Sequence, residues 1–146
     1  MKFIAGIFKV LSVIVYAVII VCLLLAVPIP FGFRPVVVLS GSMEPDYPVG
    51  SILYYKSAEF EEIKEGEVIT FDMGDDSLAT HRVIGKDETA QSFETKGDNN
   101  PSPDQNPVTY DRIAGKATEF AIPYAGFFTS YVQNIPVFAA MFAVLI

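Results

Sequence analysis

Eighteen consecutive residues, Val10 to Val27, carry no charge. As a helix rising 1.5 Å per residue they span about 27 Å, close to the ~30 Å hydrocarbon thickness of a bilayer. Pro28 and Pro30 then stop the helix, because neither has an amide donor and Pro28 disfavours helical backbone at Val27. A cleaved signal peptide also begins with positive charge, but its apolar core runs ~7–15 residues, and no A-x-A cleavage site follows this longer run. The pattern predicts a single transmembrane anchor within residues 1–33. Lys2, Lys9 and the terminal amine predict a cytoplasmic N-terminus at the cell membrane (or the endoplasmic-reticulum membrane in a eukaryote), with the following domain extracytoplasmic.

That domain, residues 34–122, has the opposite character. It holds all 17 carboxylates of the chain and eight of its ten Lys and Arg, a formal charge of −9. Such a surface is soluble and offers no basic patch for nucleic acid. Cys22 is the only cysteine and lies in the apolar run, so no intramolecular disulfide forms.

Short β-rich runs alternate here with turn residues, and the spacing predicts strands at Val36–Leu39, Ser51–Ser57, Glu67–Asp72, Ala79–Lys86, Ser92–Lys96 and Arg112–Ile122. Six such runs without a long helical period predict a mainly β fold, a small barrel or folded sheet. The first of them, Val36-Val37-Val38-Leu39, reads as a buried strand. The carboxylate-dense Glu59–Glu67 stretch reads as a solvated loop. Asp72, Asp75 and Asp76 lack the ligand count and closing glutamate of a calcium loop and read as a turn. From 123 to 146 the chain is apolar again. A second span beginning near Pro123 would approach membrane length, and the sequence stops inside it, as an interrupted span would; a helix lying in the interface is the other reading.

Ser40-Gly41-Ser42-Met43-Glu44-Pro45 follows the first predicted strand directly. Gly41, free to take unusual backbone angles, predicts a tight turn that presents Ser42. A hydroxyl becomes a nucleophile only beside a base. The chain has one histidine, His81, in Thr80-His81-Arg82-Val83, and two later aspartates, Asp98 in Gly97-Asp98-Asn99-Asn100 and Asp104. Ser, His and Asp in one small domain are the parts of a general-base triad, provided folding assembles them. Developing charge on a substrate carbonyl needs donors, and the Ser42 N–H is the first candidate.

These stretches resemble signal peptidase I, in S-G-S-M-x-P, H-R-V and G-D-N-N taken in order behind an N-terminal anchor. The histidine makes the chain similar to the endoplasmic-reticulum, archaeal and Gram-positive type, which uses Ser-His-Asp rather than Ser-Lys. The resemblance implies a compact β-rich catalytic core and a membrane-bound serine endopeptidase that cleaves signal peptides after small residues. It implies Ser42 as nucleophile, His81 as base, and the Ser40 hydroxyl as a second oxyanion donor. It places a required aspartate at both Asp98 and Asp104, with Asp104 the better match for the histidine partner. Asp98 is alternatively a loop-ordering residue, Asp111 a surface charge, and Arg82 a structural ion-pair partner.

Main-chain pairing with the strand before Ser42 makes Val37 and Leu39 the expected substrate-binding residues. Ile69 and Val83 are further pocket candidates. The expected partners are signal peptides of exported preproteins and the lipid bilayer, with other membrane-protein partners open. No metal or organic cofactor is called for. Two other classes compete: an inactive anchored β domain that only binds signal peptides, and a self-cleaving regulator, which would carry a DNA-binding domain and a lysine base.

Overall fold

A computed structural model of the chain describes residues 2–74 and 77–132, together with 136, 139 and 143. It divides into two compact units, Met1–Phe31 with Phe127–Ile146, and Gly32–Gly126.

In the first unit, helix α1 runs Lys2–Ala26, so the helix ends where the approach to Pro28 predicts. The stretch Gly6–Phe31 is long and apolar enough to cross a membrane by length and composition. A second helix, α2, spans Ala125–Val132 across the boundary between the units. Of the expected second span, residues 133–135, 137, 138, 140–142 and 144–146 lie outside the described residues.

The second unit is mainly β. Its strands are β1 (Arg34–Val37), β2 (Ile52–Lys56), β3 (Val68–Gly74), β4 (Ser77–Asp87), β5 (Ser92–Lys96), β6 (Val108–Thr109) and β7 (Ile113–Ile122). All pair antiparallel in one sheet of order β1-β2-β7-β3-β4-β5-β6. Register shifts interrupt four of these pairings, and each adds local twist and bend.

Both faces of the sheet are covered. Phe60, Ile63, Ile69, Phe71, Val83, Phe93 and Val108 form one core, and Met43, Tyr47, Leu53, Val68 and Ala117 the other. Alternation along β3 sends Val68 to the second and Ile69 and Phe71 to the first. Burying a side chain of this size contributes about 1.5–3 kcal/mol.

Three expectations change. The first strand lies two residues earlier than predicted and is a half-exposed edge strand rather than a buried one, with Leu39 beyond its end and 85% exposed. Pro35, which cannot donate to a ladder, is tolerated there because an edge strand leaves such a position free. The acidic stretch is not wholly solvated. Phe60–Glu62 forms a 3-10 turn, and Phe60 and Ile63, three residues apart, plug the first core while Glu61 and Glu62 stay exposed. A seventh strand, β6, was not anticipated, because two residues after a proline-rich loop show no periodicity.

At the Asp72 turn, the carboxylate accepts the Gly74 N–H at 2.7 Å and Gly74 has φ of 92°, while Asp75 and Asp76 lie outside the described residues.

Candidate active site

Ser42 sits in the 3-10 turn Gly41–Met43, just after β1. The turn is fastened from below: Met43 and Tyr47 are 2% and 3% exposed in the second core. The Tyr47 hydroxyl donates to the Thr118 carbonyl at 2.8 Å, and burial raises the phenol above its ordinary pKa. Gly41 is not needed for unusual backbone angles, since it is absent from the positive-φ glycines; a Cβ there would press on the Glu44 carboxylate at 3.3 Å.

The glycine on which the site depends is Gly97. A Cβ at that position would stand 2.7 Å from the Ser42 carbonyl oxygen, so only glycine lets the loop after β5 approach the turn this closely. The loop then donates to the turn three times: Asn99 N–H to the Ser42 carbonyl at 2.8 Å, Asn99 Nδ2 to the Gly41 carbonyl at 3.1 Å, and Asp98 N–H to the Met43 sulfur at 3.4 Å.

His81 lies on β4 opposite Ile69, its ring edge-on to Phe71 with centroids 6.1 Å apart. Its Nε2 is 3.3 Å from Ser42 Oγ and its Nδ1 is 2.6 Å from Asp104 Oδ2. An ionised carboxylate only accepts, so Nδ1 carries the proton and the Nε2 lone pair faces the hydroxyl. The His81 and Asp104 side chains are 13% and 25% exposed, sheltered enough for these bonds to outcompete water. Ser40 Oγ is 3.2 Å from Ser42 Oγ.

Asp98 is engaged elsewhere. Its two oxygens take the Arg82 Nε and Nη2 at 2.8 and 2.6 Å, a bidentate pair. Arg82 also donates to the Gly66 carbonyl at 2.8 Å and to Asp46 at 3.1 Å. The Asp98 bond holds the guanidinium pKa above its usual value, against the opposing pull of burial. The structure thus puts Asp104, not Asp98, on the histidine; the two aspartates sit on one loop and face different partners, an imidazole and a guanidinium. Asp111 is exposed in the 3-10 turn Tyr110–Arg112.

Thr95 was not anticipated. It is 1% exposed on β5, donates its hydroxyl to Asp104 Oδ2 at 2.6 Å, and takes the Asp104 N–H on its carbonyl at 2.9 Å. A threonine in a strand gives no signal, because its partner returns nine residues later through a loop.

A cleft of about 500 Å³ opens at Ser42, with Val36–Ser40 on one wall, Ser77–His81 on the other, and Met43, Tyr47 and Leu53 between. Both walls are strand edges. β1 has β2 as its one neighbour, and β5 pairs with β4 only from Arg82 onward. Val37 and Leu39 line this cleft, whereas Ile69 and Val83 are 0% and 1% exposed in the first core and do not. Among the described residues no cluster of His, Cys, Asp and Glu is arranged to hold a metal ion.

A hydroxyl, an imidazole and a carboxylate in one hydrogen-bonded row, beside an apolar cleft on a curled antiparallel sheet, define a class: a mainly β domain with a Ser-His-Asp constellation. The chain belongs to the signal peptidase family, peptidase S26, whose model matches residues 9–89, a stretch that includes Ser42 and His81 and ends before Asp98 and Asp104. It is similar to signal peptidase I W of Bacillus subtilis (strain 168), 36% identical over 128 residues that cover 79% of this chain and 66% of the relative. It is also similar to the signal peptidase complex catalytic subunit SEC11C of Homo sapiens, 38% identical over 122 residues, 75% of this chain and 63% of the relative. The chain therefore spans just under two thirds of the length of these two relatives.

Proposed function

We propose that this protein is a membrane-anchored serine endopeptidase that removes signal peptides from exported preproteins. The observation that carries the reading is the row Ser42 Oγ, His81 Nε2, His81 Nδ1, Asp104 Oδ2, at 3.3 and 2.6 Å, in a chain of the signal peptidase family. Ser42 Oγ attacks the scissile carbonyl as its proton passes to His81 Nε2. The imidazolium, stabilised by Asp104, returns that proton to the leaving amine, and the carbonyl stays on Ser42 as an ester. Water then attacks the ester with His81 again as base, freeing the new carboxylate and restoring the serine hydroxyl. The Ser42 N–H and the Ser40 hydroxyl are the donors for the tetrahedral oxyanion.

The cleft suits an extended substrate. Free edges at β1 and at Ser77–His81 offer main-chain partners on both sides of a peptide, and Val37 and Leu39 supply apolar contact for small side chains before the cut. Helix α1 crosses the membrane with Lys2 and Lys9 on the cytoplasmic side, and residues 34–122 work at the outer surface, where signal sequences leave the bilayer.

Cleavage of a preprotein by the detergent-solubilised full chain tests this reading. Wild type cleaves after a small residue and Ser42→Ala lowers the rate by at least about 10³-fold. Equal cleavage by both removes Ser42 from the mechanism, and binding without cleavage by wild type favours the inactive binding domain. The SEC11C relatives are named as subunits of a complex, so assaying the chain purified alone also tests whether partners are required.

A further inference from the structure

The side chain of Asn99 reaches the nucleophile turn without a hydrogen bond to the side chains of Ser42, His81 or Asp104. Its Nδ2 donates to the Gly41 carbonyl oxygen at 3.1 Å. That carbonyl belongs to the peptide unit whose other end is the Ser42 N–H. A trans peptide is planar, with C=O and N–H directed oppositely, so fixing one direction fixes the other. The Gly41 oxygen also accepts the Glu44 N–H at 3.2 Å, and the two donors hold it on the side of the 97–100 loop and the turn interior.

The Ser42 N–H is thereby aimed away from that loop. Ser40 and Ser42 line the cleft, and no residue of 97–100 does. The Ser42 N–H has no hydrogen-bond acceptor among the described residues, so it is available to a ligand.

We infer that Asn99 is a positioning residue for the oxyanion donor: its side-chain amide locks the Gly41–Ser42 peptide plane so that the Ser42 N–H meets the substrate oxygen as it becomes negative. This rests on the serine peptidase reading above. The backbone bond from Asn99 N–H to the Ser42 carbonyl is separate and does not use the side chain. A second, independent bond, from the Asp98 N–H to the Met43 sulfur at 3.4 Å, ties the loop to the turn when the Asn99 side chain is altered.

Asn99→Asp, which keeps shape but replaces the donor with an acceptor, and Asn99→Ala are compared with wild type as full chains in detergent. The readouts are kcat, KM, and inhibition by two peptides of one sequence. One ends in an aldehyde that adds Ser42 Oγ across its carbonyl to give a hemiacetal, its oxygen in the oxyanion position. The other has the scissile amide reduced to an amine and forms no adduct. The expected result is a kcat about 10–100-fold lower with KM within about twofold, since removing a whole oxyanion donor costs ~10²–10³ and misaiming one costs less. Aldehyde inhibition weakens by the same factor while the reduced peptide binds as to wild type.

Unchanged aldehyde inhibition in a folded variant overturns the inference, as does parallel weakening of both peptides, which would mean a general loss of binding. If Asn99→Asp fails to fold, Asn99→Ala decides by the same criteria. Ser42→Ala is the control: full activity there brings down the serine reading itself, whereas a dead Ser42→Ala with a normal Asn99→Asp removes only the role of Asn99.

Discussion

Asp98 and Asp104 carry the same functional group six positions apart, and their different partners predict different failures. Asp104 accepts from His81 Nδ1 and from the buried Thr95 hydroxyl, so Asp104→Asn should leave the melting temperature nearly unchanged and lower kcat by about 10³–10⁴-fold, as the imidazole loses its tautomer and its counter-charge. Asp98 is joined to Arg82 by a two-pronged bond whose partners are 20% and 30% exposed. Asp98→Asn should therefore cost about 1.5–3 kcal/mol of stability, the worth of a hydrogen bond to a charged group, with a smaller loss of kcat once the folded fraction is corrected for. Urea titrations paired with initial rates separate the two effects, and a reversed pattern would exchange the roles.

At the scale of elements, the site is an agreement between the turn after β1 and the loop after β5. Gly97 lets them meet, and the first added carbon would stand 2.7 Å from the Ser42 carbonyl oxygen. Gly97→Ala should push the turn away from His81, which lies on a third element and does not follow. A misplacement approaching 1 Å can cost about 10²-fold in rate, so the variant should stay folded in thermal melts yet lose activity on that order. Activity near that of wild type would show that the turn adjusts on its own. All six expected strands were legible within two residues, because turn residues punctuate β-rich runs. The edge position of β1 was not, since an apolar run looks alike whether a strand lies beside one neighbour or two.

For the whole molecule, the excess of carboxylates makes acid the natural stress. Burial works against ionised Glu67, but the Lys116 hydrogen bond, the Lys64 N–H and the charges of both lysines outweigh it and hold the carboxyl below the ordinary glutamate range. A depressed folded-state pKa stabilises above the unfolded value and is lost as pH falls through the folded one. The contribution is thus full near neutrality, and declines as pH drops below about 4.3. Lys116 is 41% exposed, so the pair is partly screened, and its worth is only a few tenths of a kcal/mol. Glu67→Gln should flatten the acid limb of stability against pH by that small amount while leaving stability at pH 7 slightly reduced. An unaltered acid limb would mean that other carboxylates govern it.

The linear order of residues was enough for the apolar helix, the β character of the acidic unit, and the singling out of Ser42 and His81, because charge-free length, turn punctuation and a single histidine are properties of the chain as written; Ser40, Asp98 and Asp104 joined them through the resemblance to signal peptidase I. Which aspartate meets the imidazole, why Gly97 rather than Gly41 must be glycine, and that Thr95 and Asn99 belong to the site all depend on pieces 9 to 58 positions apart coming within hydrogen-bond reach. Local propensity and spacing are blind to such approaches. They are set by how the curled sheet packs around its two cores, and that packing exists only once the chain has closed.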